Sequence, residues 1–133
     1  MDYVKIGGRP WDVLVTEITE SFSILYSENT GRTMSKGAGM TLDPLGTFYN
    51  HKVTFQRKRD YEKQYDELWN YVSVPRYDGI DVDIVHNQTT LKYKAYISQG
   101  ERSVKRIDPK TGKVYWDKFT LNIVAMEAQV LPG

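Results

Sequence analysis

The stretch IDVDIVHNQTTLKYKAYIS, residues 80–98, decides the fold. Ile80, Val82 and Ile84 alternate with Asp81, Asp83 and Val85. After a turn at Asn87-Gln88 the same period returns, with Leu91, Tyr93, Ala95 and Ile97 set against Lys92, Lys94, Tyr96 and Ser98. A period of two sends successive side chains to opposite faces of an extended chain, so both halves read as strands with one buried face.

The same period extends outward in both directions. Downstream, Val104 and Ile107 form a weaker strand after Gly100. Asp108-Pro109-Lys110-Thr111-Gly112 is a hairpin signal, because proline presets φ at the second turn position and glycine accepts a left-handed one. A long last strand follows, with Tyr115, Phe119, Leu121, Ile123 and Ala125 on one face. Upstream, short strands fall at Tyr3–Ile6, at Trp11–Thr16 after a turn over Gly7–Pro10, and at Ser21–Ser27, where Phe22, Ile24 and Tyr26 mark a half-buried face. Met40–Leu45 leads through Pro44 and Gly46 into a strand with Val53 and Phe55 on one side. Between the two sets lies one helix, Asp60–Val72. Tyr61, Tyr65, Leu68, Trp69 and Val72 make an apolar stripe at helical spacing, Asp60 is the expected N-cap, and Pro75 follows the end. The order is about four strands, one helix and about four strands, in a single domain over residues 1–133. It predicts a mainly β fold: a β-sandwich or barrel of about eight strands flanked by one helix.

Composition narrows the function. Basic and acidic residues nearly cancel, 18 against 17, so no strong pull toward nucleic acid or anionic membrane is expected. There is no cysteine, which excludes disulfides and thiolate metal sites. No apolar run approaches the roughly 20 residues of a membrane span, and the start, MDYVKIGGRP, has no signal-like apolar core, so export by a cleaved leader is not expected. Ten tyrosines, three tryptophans and four phenylalanines suit strands, and also interfaces, where a ring buries area and keeps a polar handle.

Sites for chemistry are few. Asp81 and Asp83 project from one strand face roughly 7 Å apart, a separation a divalent cation bridges, and with His86 they would make a metal-dependent hydrolase. The plainer reading is a solvent face, since the acids alternate cleanly with Ile80, Val82 and Ile84. His86 lies an odd number of residues from each acid, which points it the other way on a regular strand. His51 has no nucleophile motif around it. Gly31, Gly37 and Gly39 lack the spacing of a phosphate loop. Arg57-Lys58-Arg59 beside Asp60 and Glu62 reads as a solvated strand end, and the mixed charges of Glu101–Arg106 suit an edge strand. Trp116, Tyr96 and Tyr49 are the aromatics free to form a carbohydrate platform. No catalytic, cofactor or metal set is expected. The remaining feature is the polar, glycine-rich stretch SENTGRTMSKGAG, residues 27–39, long for a connection. It reads as an arm that orders against a neighbouring subunit.

The run GRTMSKGAGMTLDPLGTFYNHKVTFQRK, the helix DYEKQYDELWNYVSVP, the strands YDGIDVDIVHNQTTLKYKAYISQGERSVKRI and the closing YWDKFTLNIVAMEAQ together resemble small tail proteins of phages and prophages of Gram-positive bacteria. The layout is similar to that of tail-tube and distal-tail hub proteins, and the likeness covers nearly the whole chain. It implies a structural, non-enzymatic virion component, assembled in the host bacterial cytoplasm, that forms rings, commonly hexameric, and contacts other tail proteins. DNA would pass through the lumen without sequence-specific contact. It also implies that the loop at about 27–40 lies between protomers, with Thr30, Gly31, Arg32, Thr33, Met34, Lys36 and Met40 at the subunit interface.

Overall fold

The computed structural model describes residues 4–28, 30–32 and 39–133. The described elements are β1 (Val4–Ile6), β2 (Arg9–Pro10), β3 (Leu14–Tyr26), β4 (Gly31–Arg32), β5 (Met40–Thr41), β6 (Pro44–Gln56), α1 (Lys63–Val72), β7 (Ile80–His86), β8 (Thr89–Ile107) and β9 (Val114–Ala125). Seven strands form one antiparallel sheet in the order β2-β1-β7-β8-β9-β6-β3, and β4 pairs with β5 alone. The protein is therefore mainly β with one helix, as its sequence periods require.

The register explains the core. Directly opposed residues share a sheet face. Phe55 opposes Phe119 and Val53 opposes Leu121. Ile97 opposes Ile123, and Ala95 opposes Ala125. Val82 opposes Tyr93, and Ile6 opposes Val82. One face thus carries nearly the whole core, and α1 lies across it through buried Tyr65, Leu68 and Val72. Phe119, fully buried, is the hub: its ring centre is 5.1 Å from Phe55, 4.9 Å from Tyr65 and 5.5 Å from Trp69.

The sheet curls around this face in a sandwich-like way without closing into a barrel. β3 and β7 stand four strand steps apart, which would separate them by roughly 19 Å in a flat sheet. Yet Glu20 of β3 lies 2.8 Å from His86 of β7. β2 and β3 are the two edges.

Several elements differ from their sequence reading. The strands expected at Trp11–Thr16 and Ser21–Ser27 are one strand, β3, with a bulge between Val15 and Glu17. Trp11 stands outside it, its indole N–H donating to the Ile6 carbonyl at 2.9 Å. Likewise β8 runs unbroken through Gly100, where a Cβ would approach Leu121 at 3.1 Å and the Trp69 ring at 3.5 Å. That glycine makes room for the helix and does not end the strand. Asp60 is not the N-cap. It adopts φ 58° inside a tight turn closed by the Tyr61 N–H donating to Lys58 at 3.0 Å, and the helix starts later, behind Glu62. Aspartate tolerates that left-handed backbone. Tyr61 consequently leaves the apolar stripe and is exposed. The hairpin after β8 forms as expected, with Gly112 at φ 74°. Tyr3 lies outside the described residues.

Candidate assembly interface

β6 opposes β9 only from His51 to Phe55, but it opposes β3 from Pro44 to Gln56. Beyond His51 the two strands therefore run on as a two-stranded ribbon that, among the described residues, no longer pairs with β9. Phe22, Ile24 and Tyr26 lie there. They were expected to be half-buried, but they are exposed, Phe22 to 64 %. Leu25, Met40, Leu42 and Leu45 are exposed at the same end. The alternation is real, but among the described residues nothing covers these side chains fully.

The two long edges of the ribbon differ. Along β6, the Thr47 N–H donates to the Val130 carbonyl at 2.8 Å and the Gln129 N–H donates to Thr47 at 3.0 Å. The Gln129 side chain then satisfies both main-chain groups of Tyr49. The C-terminal segment thus closes that edge. Along β3, among the described residues, nothing pairs with the outer edge. β3 spans 13 residues and contains no lysine, arginine or proline. Exposed edges are normally blunted by such residues, by bulges or by brevity. The other edge strand, β2, is two residues ending in Pro10. The outer part of β8 carries Glu101, Arg102, Lys105 and Arg106 and has three register shifts. β3 is the long open edge: it carries a bulge at Val15–Glu17, a shift at Leu25–Tyr26 and the carboxylates of Glu17 and Glu20, and the run Ile18–Leu25 between the two irregularities is regular.

Of the interface residues expected from sequence, Gly31 and Arg32 pair with Thr41 and Met40 as the small β4–β5 ladder. The Thr30 hydroxyl accepts from the Asp43 N–H at 2.7 Å, within the chain. Met40 is exposed beside the ribbon. Thr33, Met34 and Lys36 lie outside the described residues.

A polar cluster stands at the root of the ribbon. Glu20 Oε2 is 2.9 Å from His51 Nε2 and 2.8 Å from His86 Nδ1, and His51 Nδ1 is 2.7 Å from the Tyr93 hydroxyl. His51 is fully buried, placed on the core face by its phase with Val53 and Phe55. Because a carboxylate only accepts, Nε2 of His51 carries the proton, and neutral Nδ1 accepts from Tyr93. Burial pushes His51 down, and its bond to Glu20 offsets this only in part. Burial opposes charge on Glu20, but the hydrogen bonds from both histidines outweigh it and hold the carboxyl below its ordinary value. Burial pushes the Tyr93 hydroxyl far up, the reverse of an activated nucleophile. Sequence reasoning missed Glu20 and His51 as partners. The available signal was polarity at core phase, in Ile18-x-Glu20-x-Phe22 and His51-x-Val53-x-Phe55.

Tyr65 is raised too, by burial first, with Arg102 opposing. An acid whose folded pKa is raised loses stability as pH climbs from its unfolded value. Urea midpoints should therefore fall as pH rises through about 10. The fall should be shallower in Tyr93→Phe, and an equally steep alkaline limb in that variant would refute the assignment.

The hydrolase set is not brought together. β7 is regular, so Asp81 and Asp83 face away from His86. Asp81 pairs with Lys94 at 3.2 Å, and His86 pairs with Glu20. Tyr49 and Tyr96 lie on opposite sheet faces. Trp116 is half-covered by the Arg102 guanidinium at 3.8 Å. In the basic run, Arg57 pairs with Glu62, Lys58 with Asp12 and Arg59 with Asp60. No protein-family model matches the chain, and no curated protein matches it.

Proposed function

We propose that this chain is a structural subunit of a phage or prophage tail, acting by self-assembly and by contact with neighbouring tail proteins, and not an enzyme. The observation that carries the assembly reading is the long β3 edge, unpaired among the described residues, joined to a ribbon with exposed Phe22, Ile24, Leu25 and Tyr26. Main-chain groups along such an edge pair with an added strand, and flanking side chains give the specificity. Large exposed apolar patches mark interaction surfaces. The tail setting rests on the resemblance in layout to tube and hub proteins, and the role proposed from it is that of a tube, distal-adaptor or accessory tail protein.

In this reading the edge and ribbon meet the next copy, and the segment at 27–40 continues the same contact. A contact between two different patches closes into a ring when the rotation allows. Mass photometry on the purified full chain across nanomolar to micromolar concentration, with light scattering above it, tests the proposal. Discrete closed oligomers are expected. A strict monomer at every concentration would overturn self-assembly.

A further inference from the structure

We propose that Glu20, His51, His86 and Tyr93 form a proton-operated clasp, which holds the root of the β3–β6 ribbon against the end of β7 at neutral pH and loosens it in acid. No backbone pairing joins β3 to β7 among the described residues. Side chains alone close that mouth of the curled sheet, and Glu20 is the atom-level junction, with one oxygen serving both histidines.

The neutral arrangement satisfies every polar group in the chain of bonds. Tyr93 O–H donates to His51 Nδ1, His51 Nε2–H donates to Glu20, and His86 Nδ1–H donates to the same carboxylate oxygen. The Tyr49 ring of β6 packs on His86 at 4.7 Å and is a further titratable group facing the cluster. A proton added to His51 goes to Nδ1, where it meets the Tyr93 hydroxyl. That hydroxyl must then turn from donor to acceptor, its own proton loses its partner, and a charge is left buried. A proton added to Glu20 turns an acceptor facing two donors into a donor. His51 and Glu20 set the response, because a proton on either alters these bonds directly.

The sign follows from the lowered values of both groups. Stability held by a group with a depressed folded pKa is lost as pH falls from its unfolded value through its folded one. For His51 the loss begins near 6.5 and for Glu20 near 4.5. Once the ribbon root opens, His51 takes up its proton freely. From His51 alone, local opening should rise by at most roughly 25-fold between pH 7 and pH 5.

Hydrogen–deuterium exchange on the full chain, monomeric at low concentration and corrected for intrinsic rates, reads this directly. Peptides covering 18–26 and 44–51 should lose protection at pH 5 by about tenfold or more relative to peptides of β9. Glu20→Gln should bring the ribbon near that acid level already at pH 7, with β9 unchanged. If Glu20→Gln lowers β9 as well, His86→Gln, which leaves the His51–Glu20 and His51–Tyr93 bonds in place, should give a partial loss confined to the ribbon. Ribbon protection that tracks β9 at both pH values overturns the clasp. So does a wild-type level of protection at pH 7 in Glu20→Gln, or in His86→Gln where that variant is the one read. A consequence for assembly rests on the function proposed above: acid would change self-association through the freed ribbon. The exchange experiment is read on monomers, so the clasp and the assembly reading fail separately.

Discussion

Phe119→Ala should destabilise the fold by about 3–5 kcal/mol, the largest loss expected of any single substitution in this chain. The ring is fully buried and touches Phe55 across the sheet and Tyr65 and Trp69 of α1. Removing it deletes the transfer free energy of a phenyl group and leaves a void beneath the helix. The two edge-on ring contacts from α1 are lost with it, and aromatic pairs of this kind contribute about 0.5–1.5 kcal/mol each beyond burial. The other anchors of the helix are buried Leu68 and Val72 and the Tyr65 hydroxyl, which donates to the Asp117 carbonyl. Guanidinium unfolding followed by tryptophan fluorescence reports the change through Trp69 directly. A melting temperature lower by roughly 12–20 °C should accompany it. A loss below about 1 kcal/mol would mean that the core is not centred where the register puts it.

The sheet was legible in the sequence because most of its core face is apolar. From Ile80 to Ile84, from Leu91 to Ile97 and from Phe119 to Ala125, every in-phase position is apolar or aromatic, and one period of two fixes both strand and face. What failed was punctuation. Gly100 looks like a break, but it is a bare spot under Trp69, a reason that exists only once the helix is docked. Asp60 looks like a cap, but the Lys58–Tyr61 turn takes it first. Strand ends at Phe22 and Ile24 look half-buried because alternation reports which face is apolar and not whether anything covers it. The polar cluster was hidden for a related reason. Glu20, His51, His86 and Tyr93 come from four strands, and only the curl of the sheet, a tertiary property, brings β3 to β7. The asymmetry of the ribbon was equally invisible, since Gln129 and Val130 guard the β6 edge from the far end of the chain.

That asymmetry makes the most direct test of function a pair of substitutions on the ribbon. Phe22→Thr with Ile24→Thr should abolish oligomers at micromolar protein while leaving the monomer folded. Threonine keeps a strong strand preference, so the ribbon itself should persist. Both side chains are already exposed, so unfolding stability should move by no more than about 0.5 kcal/mol. The interface, by contrast, loses two apolar side chains that are 64 % and 42 % exposed in the free chain. Scaled to those fractions, full burial would contribute about 2–3 kcal/mol, which is roughly a 30- to 150-fold weakening at each contact. In a closed ring that factor applies at every interface, so the assembly should collapse steeply to monomer. Analytical ultracentrifugation at matched concentrations separates the outcomes. Loss of oligomers with an unchanged melting curve places the contact on the ribbon. Wild-type oligomers in the double variant would move it elsewhere and leave the open β3 edge without its proposed partner.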